Sequence, residues 1–424
     1  MKEYRERVVD LELDDLLAGL AAVAIEGPKG VGKTATAQRR SRAIFALDDP
    51  LQAELLTADP RMIERVDGPV LIDEWQRLPA LWDVVRRSVD TEPRPGRFLL
   101  TGSAAPREVP LHSGAGRIVQ VRMRPMGLAE RGLDTPSVSL RELLSGRRPQ
   151  VEGSATMDLA GYVEEIVRSG FPGIRDLPDR ARRAQLDGYI ARVVEREFPE
   201  QGLAVRRPAT LRAWLAGYAA ASSTTASYSA ILDAATPGDH EKPAKTTTLT
   251  YRDVLSGLWL LDPVPGWLPT RNALGRLGQA PKHHLADPAL AARLLGADID
   301  ALLSGRHVGP PPPRDGLLLG RLFESLVTLS VRVLAQAAEA SVHHFRTRNG
   351  DHEVDLIVQR PDHRVLAFEV KLAPTVTDAD VTHLRWLQHR LGADLLDMAV
   401  ITTGEHAYRR ADGVAVIPAS LLGP

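Results

Sequence analysis

The sequence predicts an α/β protein in three parts: a helix-covered parallel sheet, a mostly helical middle, and an α+β end. Three observations predict it. Strand-like apolar runs alternate with helical ones up to about residue 135, the pattern of parallel strands with helical crossovers. From Leu159 to Leu303 the apolar residues recur instead at helical spacing. Beyond the run Pro310-Pro-Pro-Pro313, a stiff spacer, the elements read α-β-β-β-α-β.

The first element is the apolar run Ala21 to Ile25, followed directly by Gly27-Pro-Lys-Gly-Val-Gly-Lys-Thr34. This segment fits G-x-x-x-x-G-K-[ST], in which glycines let backbone N–H groups turn inward around phosphates at a helix N-terminus. Gly27, Pro28, Lys29, Gly30, Val31, Gly32 and Ala35 would line the nucleotide. Lys33 would reach its terminal phosphates, and the Thr34 hydroxyl would sit on Mg²⁺. The partner expected on a neighbouring strand is a carboxylate, and Pro69-Val-Leu-Ile-Asp-Glu74 ends in two. Asp73 would hold the Mg²⁺ shell, while Glu74, on the opposite side of a period-2 strand, would orient or deprotonate water. The strand Arg97-Phe-Leu-Leu-Thr-Gly-Ser103 ends in hydroxyls, with Thr101 and Ser103 candidates for sensing the γ-phosphate, although Thr-Gly-Ser is also an ordinary turn. Arg117, in Ser113-Gly-Ala-Gly-Arg117, is a candidate arginine finger, within the chain or across a subunit boundary. Acting across subunits would require a homo-oligomer.

Residues 1–135 are thus expected as the nucleotide domain. The Gly/Arg/Pro-containing stretch within 136–158 reads as a linker. Residues 159–308 carry three helical stripes: Tyr162, Ile166 and Val167; Leu186, Ile190, Val193 and Val194; Leu211, Trp214, Leu215 and Tyr218. Shorter helices follow, and Leu260 to Leu268 can fold back as a ribbon. Three helices and a ribbon are the order of a winged helix, or equally of a helical spacer. Arg180, Arg182, Arg183, Arg192, Arg196, Arg206 and Arg207 could face phosphates, or pair with Glu195, Glu197 and Glu200.

The end, 309–424, opens with a helix on which Leu319, Leu322, Leu326, Leu329 and Val333 recur at steps of three and four. A strand at Val342 to Arg346, the hairpin signal Asn349-Gly350 and a strand from Glu353 to Val358 follow. In that strand Glu353 and Asp355 are expected on one face, with Val354, Leu356 and Val358 on the other. In the next, Glu369 and Lys371 oppose Leu366, Phe368 and Val370. If the acids meet, a divalent cation on Asp355 and Glu369 would hold them together and activate water, and Lys371 would steady developing charge. Glu324 on the long helix could close the cluster. Four separate surface charges are the plain alternative.

Composition narrows the rest. Lys and Arg total 53 against 54 Asp and Glu, so nucleic-acid contact would need a local patch. With no cysteine, structural disulfides and thiolate metal sites are excluded. His283 and His284, and His343 and His344, lack metal-ligand spacing. The Met-Lys-Glu-Tyr start has no apolar signal core, and no run approaches the ~20 residues that span a bilayer. A cytoplasmic soluble protein without membrane contact is expected.

The phosphate loop, Val70-Leu-Ile-Asp-Glu-Trp-Gln76, Leu100-Thr-Gly-Ser103, Gly170-Phe-Pro-Gly173, the Tyr189-to-Pro199 helix and Gly320-Arg-Leu-Phe-Glu324 occur here in sequence. In this order they resemble a widespread prokaryotic family of AAA-type ATPases fused to a C-terminal domain similar to the PD-(D/E)XK restriction-endonuclease fold. The resemblance covers nearly the whole chain. It implies a P-loop ATPase core, a winged-helix middle and a nuclease-like end, with Glu324, Asp355, Glu369 and Lys371 as the nuclease site. His112-Ser-Gly-Ala-Gly116 departs from the family's Ser-Leu-x-Gly-Arg form. The expected function is an ATP-binding, ATP-hydrolysing switch coupled to the C-terminal module. The alternatives are a nucleotide-gated Mg²⁺ nuclease and a non-catalytic regulator that holds DNA or a protein partner.

Overall fold

The computed structural model describes residues 4–103, 115–201, 208–236, 244–269, 279–304, 316–347 and 349–424. Pro310–Pro313, Arg206, Arg207 and the His112–Gly114 part of the glycine-containing loop lie outside them.

Five strands, β1 (Ala22–Glu26), β2 (Ala43–Ala46), β3 (Val70–Asp73), β4 (Phe98–Gly102) and β5 (Ile118–Arg122), form a sheet in the order β2-β3-β4-β1-β5. Every pairing is parallel. Period-2 alternation divides the strands between two cores. Val23, Ile25, Leu71 and Leu99 pack on one side with Val8, Val9 and Leu13 of the Val8–Gly19 helix. Ala22, Ala24, Val70, Ile72, Phe98 and Leu100 pack on the other with Leu81, Val85 and Val89 of the Ala80–Thr91 helix. The order corrects one expectation: β4 stands between β1 and β3, so Asp73 is two strands from the phosphate loop. Strand order is a long-range property that spacing along the chain does not encode.

The middle is helical, with helices Leu159–Arg168, Asp179–Arg192, Pro208–Ala220, Tyr228–Ala235, Lys245–Gly257 and Pro288–Leu294. A wider π-type turn, Val193–Glu197, continues the second of these. Leu261 and Val264 pair antiparallel with Leu285 and Lys282, so the ribbon's second arm is the 282–285 segment. Arg182 is buried, donates to Leu177 O at 3.3 Å and pairs with Asp179, so it presents no charge to a partner.

The C-terminal sheet uses β8 (Ser341–Arg346), β9 (Glu353–Gln359), β10 (Val365–Val370), β11 (Leu395–Thr402), β12 (His406–Arg409) and β13 (Ala415–Pro418). Leu322, Phe323 and Leu326 of the Gly316–Ala337 helix pack on one face, Leu384 and Leu387 of the Thr382–Leu391 helix on the other. The segment expected as a linker is tied to this unit. Val138–Ser139 (β6) pairs with Leu422–Gly423 (β14), and Gly153–Ser154 (β7) pairs with β12. Register along β9 departs from simple alternation. β8 steps from His343 to Phe345 while β9 steps from Ile357 to Val354, a bulge spanning Asp355 and Leu356 that re-aims side chains. Leu356 and Val358 therefore join the main core, whereas Val354 packs with Ile357 on the opposite side.

Candidate nucleotide site and C-terminal acid cluster

The phosphate loop leaves β1 at the C-terminal end of the sheet, where parallel strands and the following helix aim backbone donors at one point. Gly27 has a φ of +151°, and a Cβ there would lie 2.1 Å from the Met123 carbonyl oxygen. Only glycine fits between loop and β5 extension. Gly32, at φ +105°, turns the chain into the Lys33–Gln38 helix, in which Ala35 is exposed. Val31 is fully buried, and its carbonyl accepts from Arg7 Nη1 at 2.9 Å.

Lys33 Nζ donates to the carbonyls of Gly27 (2.8 Å) and Pro28 (2.9 Å). Burial pulls its pKa down to about 8, against the opposing charges of Glu74 and Asp73. The Thr34 hydroxyl donates to Asp73 Oδ1 at 2.8 Å, and Thr101 donates to the same oxygen. Thr101 on the intervening strand thus orients the carboxylate that the loop needs. β3 ends at Asp73, and Glu74 takes a left-handed backbone with φ 56°, an unfavourable conformation for a side chain of this type. Backbone geometry rather than strand alternation directs this carboxylate. Gln76 Nε2 donates to Glu74 Oε2 and reaches Ser103 Oγ at 3.5 Å.

Arg117 stands elsewhere. It precedes β5, at the opposite end of the sheet from the loop, and its Nε donates to Asp90 Oδ1 at 2.7 Å. Five residues of strand, about 16 Å, separate it from the phosphate end, so a finger role within its own chain is corrected. The middle segment, by contrast, reaches the loop directly. Lys29 Nζ lies 3.1 Å from Glu197 Oε1 in the π-type turn. A Cβ on Gly30 would touch Phe171 Cδ1 at 3.8 Å, and one on Gly32 would touch Pro172 Cγ at 3.9 Å. The turn carrying them is held by Asp287, whose Oδ2 accepts from Ser169 Oγ (2.6 Å) and Gly170 N (2.7 Å).

In the C-terminal unit Glu324 and Asp355 meet on an unexpected member, Lys282, and Glu369 and Lys371 stand on the other side of Asp355. Lys282 Nζ lies 2.8 Å from Glu324 Oε1, 2.9 Å from Asp355 Oδ1 and 3.2 Å from Glu353 Oε1. Asp355 Oδ2 accepts from Val370 N at 2.9 Å, and Lys371 Nζ lies 3.2 Å from Glu369 Oε2. Burial and the Asp355 charge push Glu324 up to about 8 and Glu369 well above the carboxylate range. Burial pushes Asp355 up, but Lys282, the Val370 N–H and Lys371 together hold it below its usual value. Lys282 itself is held charged, Asp355 and Glu324 outweighing its desolvation. Nothing in the local pattern Pro281-Lys-His-His284 marks this lysine. The ribbon pairing to Val264 is the signal, and it is long-range.

Residues 21–131 match the family model described as AAA domain. Residues 159–300 and 319–422 match two models described as domains of unknown function, DUF8612 and DUF4143. Two uncharacterized mycobacterial proteins, Mb2031c of Mycobacterium bovis and Rv2008c of Mycobacterium tuberculosis, are each 28% identical over 411 residues, 94% of this chain and 80% of theirs. Among solved structures, the Aeropyrum pernix ORC2 protein aligns with TM-score 0.33 at 16% identity, covering 72% of this chain and 97% of that one. The Aeropyrum pernix ORC1 protein in complex with DNA aligns with TM-score 0.26 at 14% identity, covering 72% and 95%. Those scores are too low to carry a fold or a function across. Among the described residues no helix is long and apolar enough to cross a membrane. The glycine-rich loop, the Asp73 carboxylate and the five-stranded parallel sheet all lie inside residues 21–131, the segment that matches the AAA domain model.

Proposed function

We propose that the protein is an ATP-hydrolysing switch in which the nucleotide state of the P-loop unit is passed through the middle segment to the C-terminal unit. The meeting of Lys33, Thr34, Asp73 and Glu74 at one sheet end carries this reading. The Thr34 hydroxyl and Asp73 carboxylate are an oxygen pair suited to Mg²⁺, which would supply charge neutralisation at the β- and γ-phosphates. Gly27 to Ala35 would wrap the triphosphate, Lys33 would turn its ammonium from the loop carbonyls to the phosphates, and Glu74 would orient water. Ser103 would follow the γ-phosphate through Gln76. Arg117 is left for a neighbouring subunit of a homo-oligomer. The Lys29–Glu197 pair and the Phe171-Pro172 turn support the coupling, since loop and middle segment touch at both places. Asp287, which holds that turn, lies five residues from Lys282 on the same stretch of chain.

Calorimetry near pH 8 tests the nucleotide site. Lys33 is about half-protonated there in the free protein, and phosphate oxygens would raise its pKa, so binding takes up about half a proton. ATP affinity should fall as pH rises above about 8, and the observed binding enthalpy should become more positive as the ionisation enthalpy of the buffer increases. Lys33→Ala should lose both affinity and proton uptake. Unchanged affinity in that variant removes the switch.

The convergence of Glu324, Asp355, Glu369 and Lys371 favours a second reading, a nucleotide-gated, Mg²⁺-dependent nuclease. Cleavage of DNA or RNA that disappears in Asp355→Ala and in Lys371→Ala is expected on this reading. Absence of cleavage by the intact protein with ATP and Mg²⁺ leaves the switch and discards the nuclease.

A further inference from the structure

The acid cluster of the C-terminal unit already contains a cation. Lys282 Nζ sits among oxygens of Glu324, Asp355 and Glu353 at 2.8, 2.9 and 3.2 Å, and its side chain is 2% exposed. Three carboxylates around one point are the donor set a divalent ion takes, at oxygen distances of about 2.0–2.6 Å. Ammonium and metal ion cannot share that point, because both need the same Asp355 and Glu324 oxygens and repel one another. Among the described residues no group of three His, Asp or Glu side chains is arranged to hold a metal ion. Glu369 is 3% exposed and lies at the edge of this set, beside Asp355, with its Oε2 facing Lys371.

Lys282 does not belong to the helix or strands that carry the acids. It arrives from the middle segment, on the ribbon arm that pairs with Val264, and the same arm runs on to Asp287, the residue that fixes the turn against the phosphate loop. A cavity of about 690 Å³, lined among others by Thr224, Arg321, Arg346, Glu324 and Glu353, opens beside the cluster. Water and ions therefore reach its edge, and the ammonium, not lack of access, closes the centre.

We propose that Lys282 is a built-in plug: it fills the divalent-cation position among Glu324, Asp355 and Glu353, so that this conformation excludes Mg²⁺ and Mn²⁺, and metal enters only when the 282–285 arm withdraws. The inference rests on reading the cluster as a cation centre, and it stands or falls separately from cleavage, because its readout is metal binding.

The test uses the full chain, nucleotide-free, titrated with Mn²⁺ and followed by electron paramagnetic resonance of the free ion and by thermal melting. Wild type and Asp355→Asn should take up the same amount of Mn²⁺. Lys282→Met, which keeps an unbranched apolar stem and removes the ammonium, should gain one Mn²⁺ bound at least about tenfold more tightly than wild type, with a Mn²⁺-dependent rise in melting temperature. Adding Asp355→Asn to Lys282→Met should abolish both. Uptake by wild type that Asp355→Asn removes overturns the plug, as does a folded Lys282→Met that binds no more than wild type. Should Lys282→Met fail to fold, Lys282→Gln takes its place, alone and combined with Asp355→Asn, with the same outcomes expected.

Discussion

Asp262→Ala should lower the stability of the fold by about 3–5 kcal/mol, the usual result of leaving buried charges without their partner. One carboxylate here serves three guanidinium groups. Arg122 Nη1 (2.9 Å) and Arg332 Nη1 (2.8 Å) lie against its Oδ1, and Arg124 Nε (2.8 Å) against its Oδ2. Burial pulls Arg122 and Arg332 down to about 10, and the three arginines hold Asp262 far below the ordinary carboxylate range against its own desolvation. Without the acid, three cations face one another in an interior site. The knot also joins the three parts of the chain: Arg122 and Arg124 belong to the first sheet and its extension, Asp262 to the ribbon, Arg332 to the long C-terminal helix. Loss of a single cooperative transition in urea is therefore expected alongside loss of stability. The pH dependence has a definite sign. A carboxylate whose folded pKa is depressed contributes its full stability above its unfolded pKa of about 3.9 and loses it as pH falls below that value. Asp262→Asn should accordingly differ from wild type most at neutral pH and least in acid. Melting identical to wild type at pH 7 would show that the arginines find other partners.

Local chemistry was the legible part of this sequence. The phosphate loop announces itself because its glycines, lysine and threonine act within eight consecutive residues, and Asp73 because a buried strand that ends in acid is rare. The C-terminal order of elements could be read from periodicity and from Asn349-Gly350, since turns and amphipathic spacing are short-range. What stayed hidden depends on contacts between distant segments. Insertion of β4 between β1 and β3, pairing of β7 with β12, and arrival of Lys282 among the acids each join residues with no local mark of their relation. Asp262 carries no local mark either, and only the arginines at 122, 124 and 332 make it a centre. The β9 bulge is a case between the two. Alternation correctly marked Glu353 and Asp355 as the polar positions, yet misassigned Val354, because one extra residue opposite His344 reverses the phase.

The same contrast separates the two acids at the end of β3 and leads to the largest expected effect on activity. Asp73 is immobilised: its Oδ1 accepts from Thr34 and from Thr101, so it suits a task that needs a fixed oxygen, such as holding a cation beside the loop. Glu74 is placed differently. Its left-handed backbone turns it out of the strand, and its only described side-chain hydrogen bond is to Gln76, so it can accept a proton from water near the phosphate end. Glu74→Gln should consequently keep ATP affinity and slow hydrolysis by about 10²–10⁴-fold, the range for loss of a general base. Asp73→Asn should instead weaken Mg²⁺-dependent binding before turnover is considered, because it leaves Thr34 and Thr101 facing an oxygen without charge. Gln76→Ala should fall between, preserving the base and loosening its aim. Single-turnover hydrolysis measured beside equilibrium binding separates these outcomes. Should Glu74→Gln hydrolyse ATP at the wild-type rate, the water is activated from elsewhere, and Arg117 of a neighbouring chain together with the phosphate's own oxygens would have to account for turnover.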